Sequence, residues 1–278
     1  MEIFIVIIVI GALVLSVLIG KRALRNRRLK QSAAMPFPDE WERILERNIS
    51  LYRYLPDALR EQFHNDIKIF ITEKHFEGLG GLELTDEIKV TIAAEASMLL
   101  LNRKNSDYSG LSSILVYPSA YVTKQNTAIG GGLHIEGQSV RLGESWLHGS
   151  VVLVWDNVRQ GAMNFQDGHN VALHEFAHQL DQEDGIADGA PILEKRSSYA
   201  TWARIMSKEY EQLRSNIEHH KKSIMDNYGA TNPAEFFAVA TETFFEKPGQ
   251  MKKKAPDLYA ELAGFYKVDP IEWLHSKS

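Results

Sequence analysis

Asp167-Gly168-His169-Asn170-Val171-Ala172-Leu173-His174-Glu175-Phe176-Ala177-His178-Gln179-Leu180-Asp181 is the segment on which the reading of this chain turns. Asp167 can cap a helix running to about Gln182, and Asp184-Gly185 can end it. Leu173, Phe176, Ala177 and Leu180 recur at i, i+3, i+4 and i+7, which assigns them to one buried face. His174 and His178 lie one turn apart on the neighbouring face, where both imidazoles can reach the same ion. Glu175 sits beside the first histidine, placed to hold a water rather than to bind the ion. His-Glu-x-x-His on an apolar helix points to metal-assisted hydrolysis. Two histidines do not saturate zinc, and a catalytic site usually has three protein ligands.

The third ligand has to come from elsewhere in the chain. No histidine follows at short spacing, since positions 181, 182 and 184 are Asp, Gln and Asp. A second segment, Tyr228-Gly229-Ala230-Thr231-Asn232-Pro233-Ala234-Glu235-Phe236-Phe237-Ala238, reads as a helix start. Asn232 or Thr231 caps it, Pro233 occupies the first position and Glu235 lies in the first turn. Phe236, Phe237, Ala240 and Phe244 turn this helix inward, so its carboxylates stand on a buried scaffold. Glu242, seven residues on and on nearly the same face, competes with Glu235, and spacing does not separate them. Asp181 is placed either to orient a ligand imidazole or to serve as an ordinary helix-end carboxylate. His134 and His169 can border the cleft. His219-His220 lies in a Lys-rich stretch, and His64, His75, His148 and His275 have no constellation around them.

Outward from these two helices the pattern is α+β. Asp39-Glu40-Trp41 opens one amphipathic helix, and Pro56-Asp57-Ala58-Leu59 opens another reaching about Thr72. Gly78, Gly80 and Gly81 mark a turn and not a phosphate loop, because no Gly-Lys-Ser/Thr follows. Thr85-Asp86-Glu87-Ile88 starts an Ala- and Leu-rich helix to about Leu101. Ile114-Leu115-Val116-Tyr117, Ala120-Tyr121-Val122 and Val151-Val152-Leu153-Val154-Trp155 are short strands, predicting a sheet of three or four. Turns are expected at Arg141-Leu142-Gly143 and near Gly130-Gly131-Gly132. From about residue 168 the chain is helical again.

The first twenty residues are a different material. Ile3 to Gly20 is uncharged and almost wholly aliphatic, and as a helix it spans roughly 27–30 Å. Lys21, Arg22, Arg25, Arg27, Arg28 and Lys30 follow it directly. Basic residues after the apolar run predict a single-pass anchor over 1–20, with the rest of the chain on the cytoplasmic side of the cell membrane. Residues 21–37 read as a basic juxtamembrane linker, and 38–278 as one domain without repeat or internal linker. The 278 residues carry 31 basic and 36 acidic side chains, a net charge of −5, so no nucleic-acid partner is expected. The absence of cysteine excludes disulfides, thiolate metal sites and cysteine nucleophiles.

The two motifs together, with Phe76-Glu77-Gly78-x-Gly80-Gly81-Leu82-Glu83-Leu84, Leu115-Val116-Tyr117-Pro118 and Phe265-Tyr266-Lys267-Val268-Asp269-Pro270, resemble the Mlc-titration-factor family of bacterial zinc-dependent peptidases. The likeness covers about residues 38–274. The lethal factor catalytic domain is similar in its Tyr-x6-Glu-Phe-Phe-Ala and His-Glu-x-x-His arrangement. The resemblance implies a mainly helical, zincin-like metallopeptidase domain with a small β-sheet. It implies one Zn2+ on His174, His178 and Glu235, with Tyr228 facing it, and so decides for Glu235 over Glu242. Glu175 is then the general base on a zinc-activated water, and Tyr228 the donor to the oxyanion. It further implies a peptide or protein substrate, aminopeptidase action as one option, and, as the alternative function, sequestration of a transcriptional repressor.

Overall fold

The computed structural model describes residues 2–103, 108–119, 143–146 and 149–275; within the first helix and in 143–146 it describes many positions as backbone only. Four helices come first, interrupted by one strand: α1 (Glu2–Ala34), α2 (Asp39–Asn48), α3 (Asp57–Glu73), β1 (His75–Gly78) and α4 (Asp86–Met98). The sheet continues with β2 (Ser113–Tyr117), β3 (Gly143–Trp146) and β4 (Ser150–Val154). Helices complete the chain: α5 (Trp155–Met163), α6 (Val171–Asp181), α7 (Ser198–Glu218), α8 (Pro233–Glu246), α9 (Pro248–Lys254), α10 (Pro256–Tyr266) and α11 (Pro270–His275). This is the mainly helical α+β arrangement that the sequence implies.

Among the described residues the sheet has the order β1-β2-β4-β3. β1, β2 and β4 run parallel, with Phe76 opposite Ile114 and Ile114 opposite Val151; β3 is antiparallel to β4, with Ser145 opposite Val151. Ile114, Val116, Val151 and Leu153 are fully buried, so one face of the central strands supplies the core. β3 packs against α6, which brings the sheet edge to the helix that carries the two histidines. The expected strand at Ala120-Tyr121-Val122 and the turn at Gly130-Gly131-Gly132 lie outside the described residues. Gly143, read as a turn, opens β3 instead, and Trp155, read as strand, opens α5.

α1 runs without a break to Ala34, through most of the basic stretch read as a juxtamembrane linker. Its second half is bound to α3. Arg25 Nη2 lies 2.6 Å from Glu73 Oε1, and the Ser32 and Thr72 hydroxyls are 3.0 Å apart. Lys68 Nζ, on a buried side chain, donates to the Ala33 and Met35 carbonyls at 3.0 and 2.5 Å. A cation on the last carbonyls of a helix satisfies groups that have no partner within it and complements the negative end of its dipole. Among the described residues no helix is long and apolar enough to cross a membrane. The side chains of much of the run from 3 to 20 lie outside the described residues, so the span expected at 1–20 finds no support there.

The core forms one cluster around α4, α6 and α8. Phe176 of α6 is completely buried, edge-on to Phe70 at 5.6 Å and tilted against Tyr108 at 5.4 Å. Such aromatic contacts add about 0.5–1.5 kcal/mol beyond burial itself. From Phe236 to Glu246 every residue of α8 is buried, so α8 is a central helix and its carboxylates sit inside the protein.

Candidate metal centre

α6 begins later than the sequence suggests, and the reason is backbone geometry. Gly168 has φ +76, a left-handed conformation that a helical turn does not contain. Asp167 therefore closes the turn before the helix: its Oδ1 accepts the His169 N–H at 3.0 Å, and its Oδ2 the Asn164 amide at 2.5 Å. Asn170 is the actual cap, extended at φ −134, with Oδ1 accepting the Leu173 N–H at 3.1 Å. From there α6 buries Leu173, Phe176, Ala177 and Leu180, as the apolar period requires. His174 and His178 emerge together, their ring centroids 4.8 Å apart. A short 3-10 turn, Gln182–Asp184, and Gly185 at φ +91 end the helix where Asp184-Gly185 predicted.

The second segment is prepared in the same local way. Asp226 Oδ1 accepts the Tyr228 N–H at 2.7 Å and starts a 3-10 turn, Asn227–Ala230. Asn232, not Thr231, caps α8: its Oδ1 accepts the Glu235 N–H at 2.9 Å, with Pro233 in the first turn. The Thr231 hydroxyl donates instead to the Tyr228 carbonyl at 2.7 Å. Capping the Glu235 N–H fixes the residue that bears the carboxylate.

The two segments meet at three atoms. His174 Nε2 lies 3.0 Å from Glu235 Oε2, His178 Nε2 lies 3.2 Å from the same oxygen, and the two Nε2 atoms are 3.2 Å apart. These three residues form a group able to hold a metal ion. A tetrahedral zinc with bonds of about 2.0–2.1 Å separates its ligand atoms by about 3.3–3.4 Å. The observed triangle is that of one tetrahedral face within a few tenths of an ångström. Two nitrogens and one carboxylate oxygen also form a donor set suited to catalytic zinc, so the residues fit the ion. Electrostatics agree. Burial works against a charged His174 ring, yet the Glu235 and Glu242 carboxylates outweigh it and raise the ring to about 10. Burial likewise opposes ionisation of Glu235, but the two histidines hold its carboxyl down at about 2. Carboxylates that pull a proton onto the buried His174 ring mark a place that demands positive charge.

Glu175, the proposed base, is buried beside the first histidine and adds its charge to the field on His174. Tyr228 is 55% exposed, with its ring centroid 6.0 Å from that of His174. Asp181 is committed elsewhere. Its Oδ2 accepts the Gly189 N–H at 2.9 Å, holding the loop after α6, and at Gly189 a Cβ would lie 2.4 Å from the Pro233 carbonyl. It thus fixes the approach of this loop to the start of α8. His169 stands on the flank, 3.6 Å from Asp226; His134 and His148 lie outside the described residues. Glu242, weighed from the sequence as a rival ligand, meets His174 from behind: its Oε1 is 2.7 Å from Nδ1. The sequence gives no signal for Glu95, and Asn170 carries only the signal of a helix cap; both lie near Glu242. Asn170 donates its backbone N–H to Glu242 Oε2 at 2.6 Å and its side-chain amide to Glu95 Oε2 at 3.1 Å.

Comparison with known proteins accords with this geometry. The sequence profile of the family described as glucose-regulated metallo-peptidase M90 matches residues 22–267. An uncharacterized protein of Synechocystis sp., slr2042, is 40% identical over 268 residues, covering 94% of this chain and 98% of its own length. Mlc titration factor A of Yersinia pestis and that of Yersinia pseudotuberculosis are each 29% identical over 235 residues, covering 84% of this chain and 85% of their own. With the family profile spanning nearly the whole chain around a converged His-His-Glu group, the chain belongs to the glucose-regulated M90 metallopeptidases, the family of the Mlc titration factors.

Proposed function

We propose that this chain hydrolyses peptide bonds at a single zinc site formed by His174, His178 and Glu235. The observation that carries the reading is the approach of the three ligand atoms to within 3.0–3.2 Å of one another from two separate helices. Zinc bound there supplies Lewis acidity that makes water a nucleophile near neutral pH. Glu175 accepts the proton of the attacking water and returns it to the leaving amine, a transfer typically worth 10²–10⁴-fold in rate. Tyr228 donates to the carbonyl oxygen as it gains charge. Among the described residues β3 is one of the two edge strands of the sheet and packs on α6, the helix of the two histidines, so an extended peptide can pair with it. Aminopeptidase action is the narrower form of this reading.

The name of the Yersinia relatives favours a second reading, in which the chain sequesters a transcriptional repressor and cleavage is secondary. The uncharged run from Ile3 to Gly20 and the basic cluster behind it support a membrane tether with the catalytic domain in the cytoplasm. Metal analysis of the purified chain, with peptide-library cleavage by wild type and Glu175→Gln side by side, tests the function. The expected result is one zinc per chain in both, and cleavage by the wild type only. Equal turnover by the variant would remove Glu175 as the base, and zinc-loaded wild type inert toward all peptides would leave repressor binding as the function.

A further inference from the structure

We propose that Glu242 is the positioning residue of the metal site: clamped by the backbone N–H of Asn170, its carboxylate holds the His174 ring with the proton on Nδ1 and the bare Nε2 turned toward the ion. This rests on the zinc reading above and adds to it a residue that touches neither the ion nor the substrate.

The geometry is a chain of single-choice hydrogen bonds. A carboxylate only accepts, and each oxygen of Glu242 has one donor: His174 Nδ1–H at 2.7 Å on Oε1, and the Asn170 N–H at 2.6 Å on Oε2. The second donor belongs to the capping residue of α6, where the positive end of the helix dipole favours an anion. Asn170 cannot drift, because its side chain caps Leu173 at 3.1 Å and reaches Glu95 at 3.1 Å. α5 presses against it as well. A Cβ at Gly161 would lie 3.1 Å from the Asn170 Cα, tighter than most such contacts, so glycine there eases the close approach. His174 is thus held at Nδ1 from behind while Nε2 faces Glu235 and His178, and the ring has no freedom to turn.

Two other acids share this pocket with Glu242. Glu95, Glu242 and Glu246 are all buried. Burial raises Glu95 to about 8, and burial together with the charges of Glu242, Glu95 and Asp167 raises Glu246 to about 9. Near neutral pH these two are neutral acids, and neither makes the contact with His174 Nδ1 that Glu242 makes.

Glutamine at 242 separates positioning from packing. It has the shape of glutamate but one acceptor, so its amide nitrogen must face either the Asn170 N–H or the His174 Nδ1–H. Both are donors. If the nitrogen faces the ring, it favours the tautomer with the proton on Nε2, which cannot ligate.

Zinc binding by the full chain is measured by competition with a chromophoric chelator, with no peptide present. Glu242→Gln should weaken zinc by about 10–100-fold, the usual effect of removing a partner that orients a ligand histidine. Glu95→Gln and Glu246→Gln, which replace neutral acids by neutral amides, should stay within about three-fold of wild type. Nitrogen-15 NMR of the zinc-loaded wild type should show His174 protonated at Nδ1, a measurement that holds even where Glu242→Gln does not fold. Wild-type affinity in Glu242→Gln, equal weakening by all three substitutions, or a proton on Nε2 would each overturn the proposal. Failure of the peptidase reading would appear differently, as tight zinc binding without cleavage.

Discussion

Replacing Glu246 by glutamine should stabilise the protein, and the gain should grow with pH. The residue is 3% exposed, and its carboxyl is buried among other acids. Burial first, then the charges of Glu242, Glu95 and Asp167, raise it from 4.5 to about 9. Between those values the folded chain keeps a proton that the unfolded chain releases. The folded state then binds more protons than the unfolded one, so this group costs stability as pH rises from about 4.5 and levels off near 9. Each pH unit is worth about 1.4 kcal/mol, so the three units from pH 5 to pH 8 amount to roughly 4 kcal/mol. Titration shared with Glu95, itself near 8, lowers the visible difference to about 2–4 kcal/mol. Glutamine carries no such proton and escapes the penalty. Urea unfolding of wild type and Glu246→Gln at pH 5, 6.5 and 8, both zinc-saturated, reads the effect as a widening gap in midpoint. A gap that stays constant within about 0.5 kcal/mol over this range would mean that Glu246 is ionised in the fold, and the reasoning about a neutral acid at this position would fall.

Two further substitutions probe other levels of the structure. Tyr228→Phe should lower kcat by about 10²–10³-fold while zinc affinity stays within two-fold, and stopped assays beside chelator competition would show whether the hydroxyl acts on the transition state alone. Phe176→Ala should cost about 3–5 kcal/mol in chemical denaturation, since it empties a fully buried ring site between Phe70 and Tyr108; a loss below 1 kcal/mol would mean that this part of the core is loosely filled.

The helical part of the fold was legible because its signals are local. Thr85 and Asn232 cap where the sequence places them, and Pro233 opens α8. The start of α6 was misplaced because Asp167 and Asn170 are both good caps; only the positive φ of Gly168 excludes the earlier one, and φ is not written in composition. β3 escaped notice since Gly-Glu-Ser-Trp has no β-branched residue; pairing with β4 makes it a strand. β1 was hidden by the glycines that follow it. At the site, the helical period put His174 and His178 on one face, but it left Glu235 and Glu242 equivalent. Their difference lies in which nitrogen of one imidazole each approaches, a matter of a few ångströms across the ring that a seven-residue spacing cannot encode. Glu95 reaches the same pocket from α4, seventy-five residues before Asn170, and no local pattern announces such a contact.

The union of α1 with α3 sets how the cleft is carried. Arg25, Ser32 and Lys68 lock the two helices side by side, and the C-terminal end of α1 is closed by the Lys68 ammonium. A segment bolted on in this way works as a handle and not as a leash. Were the first residues of the chain held by another body, the same contacts would set the heading of the cleft relative to that body.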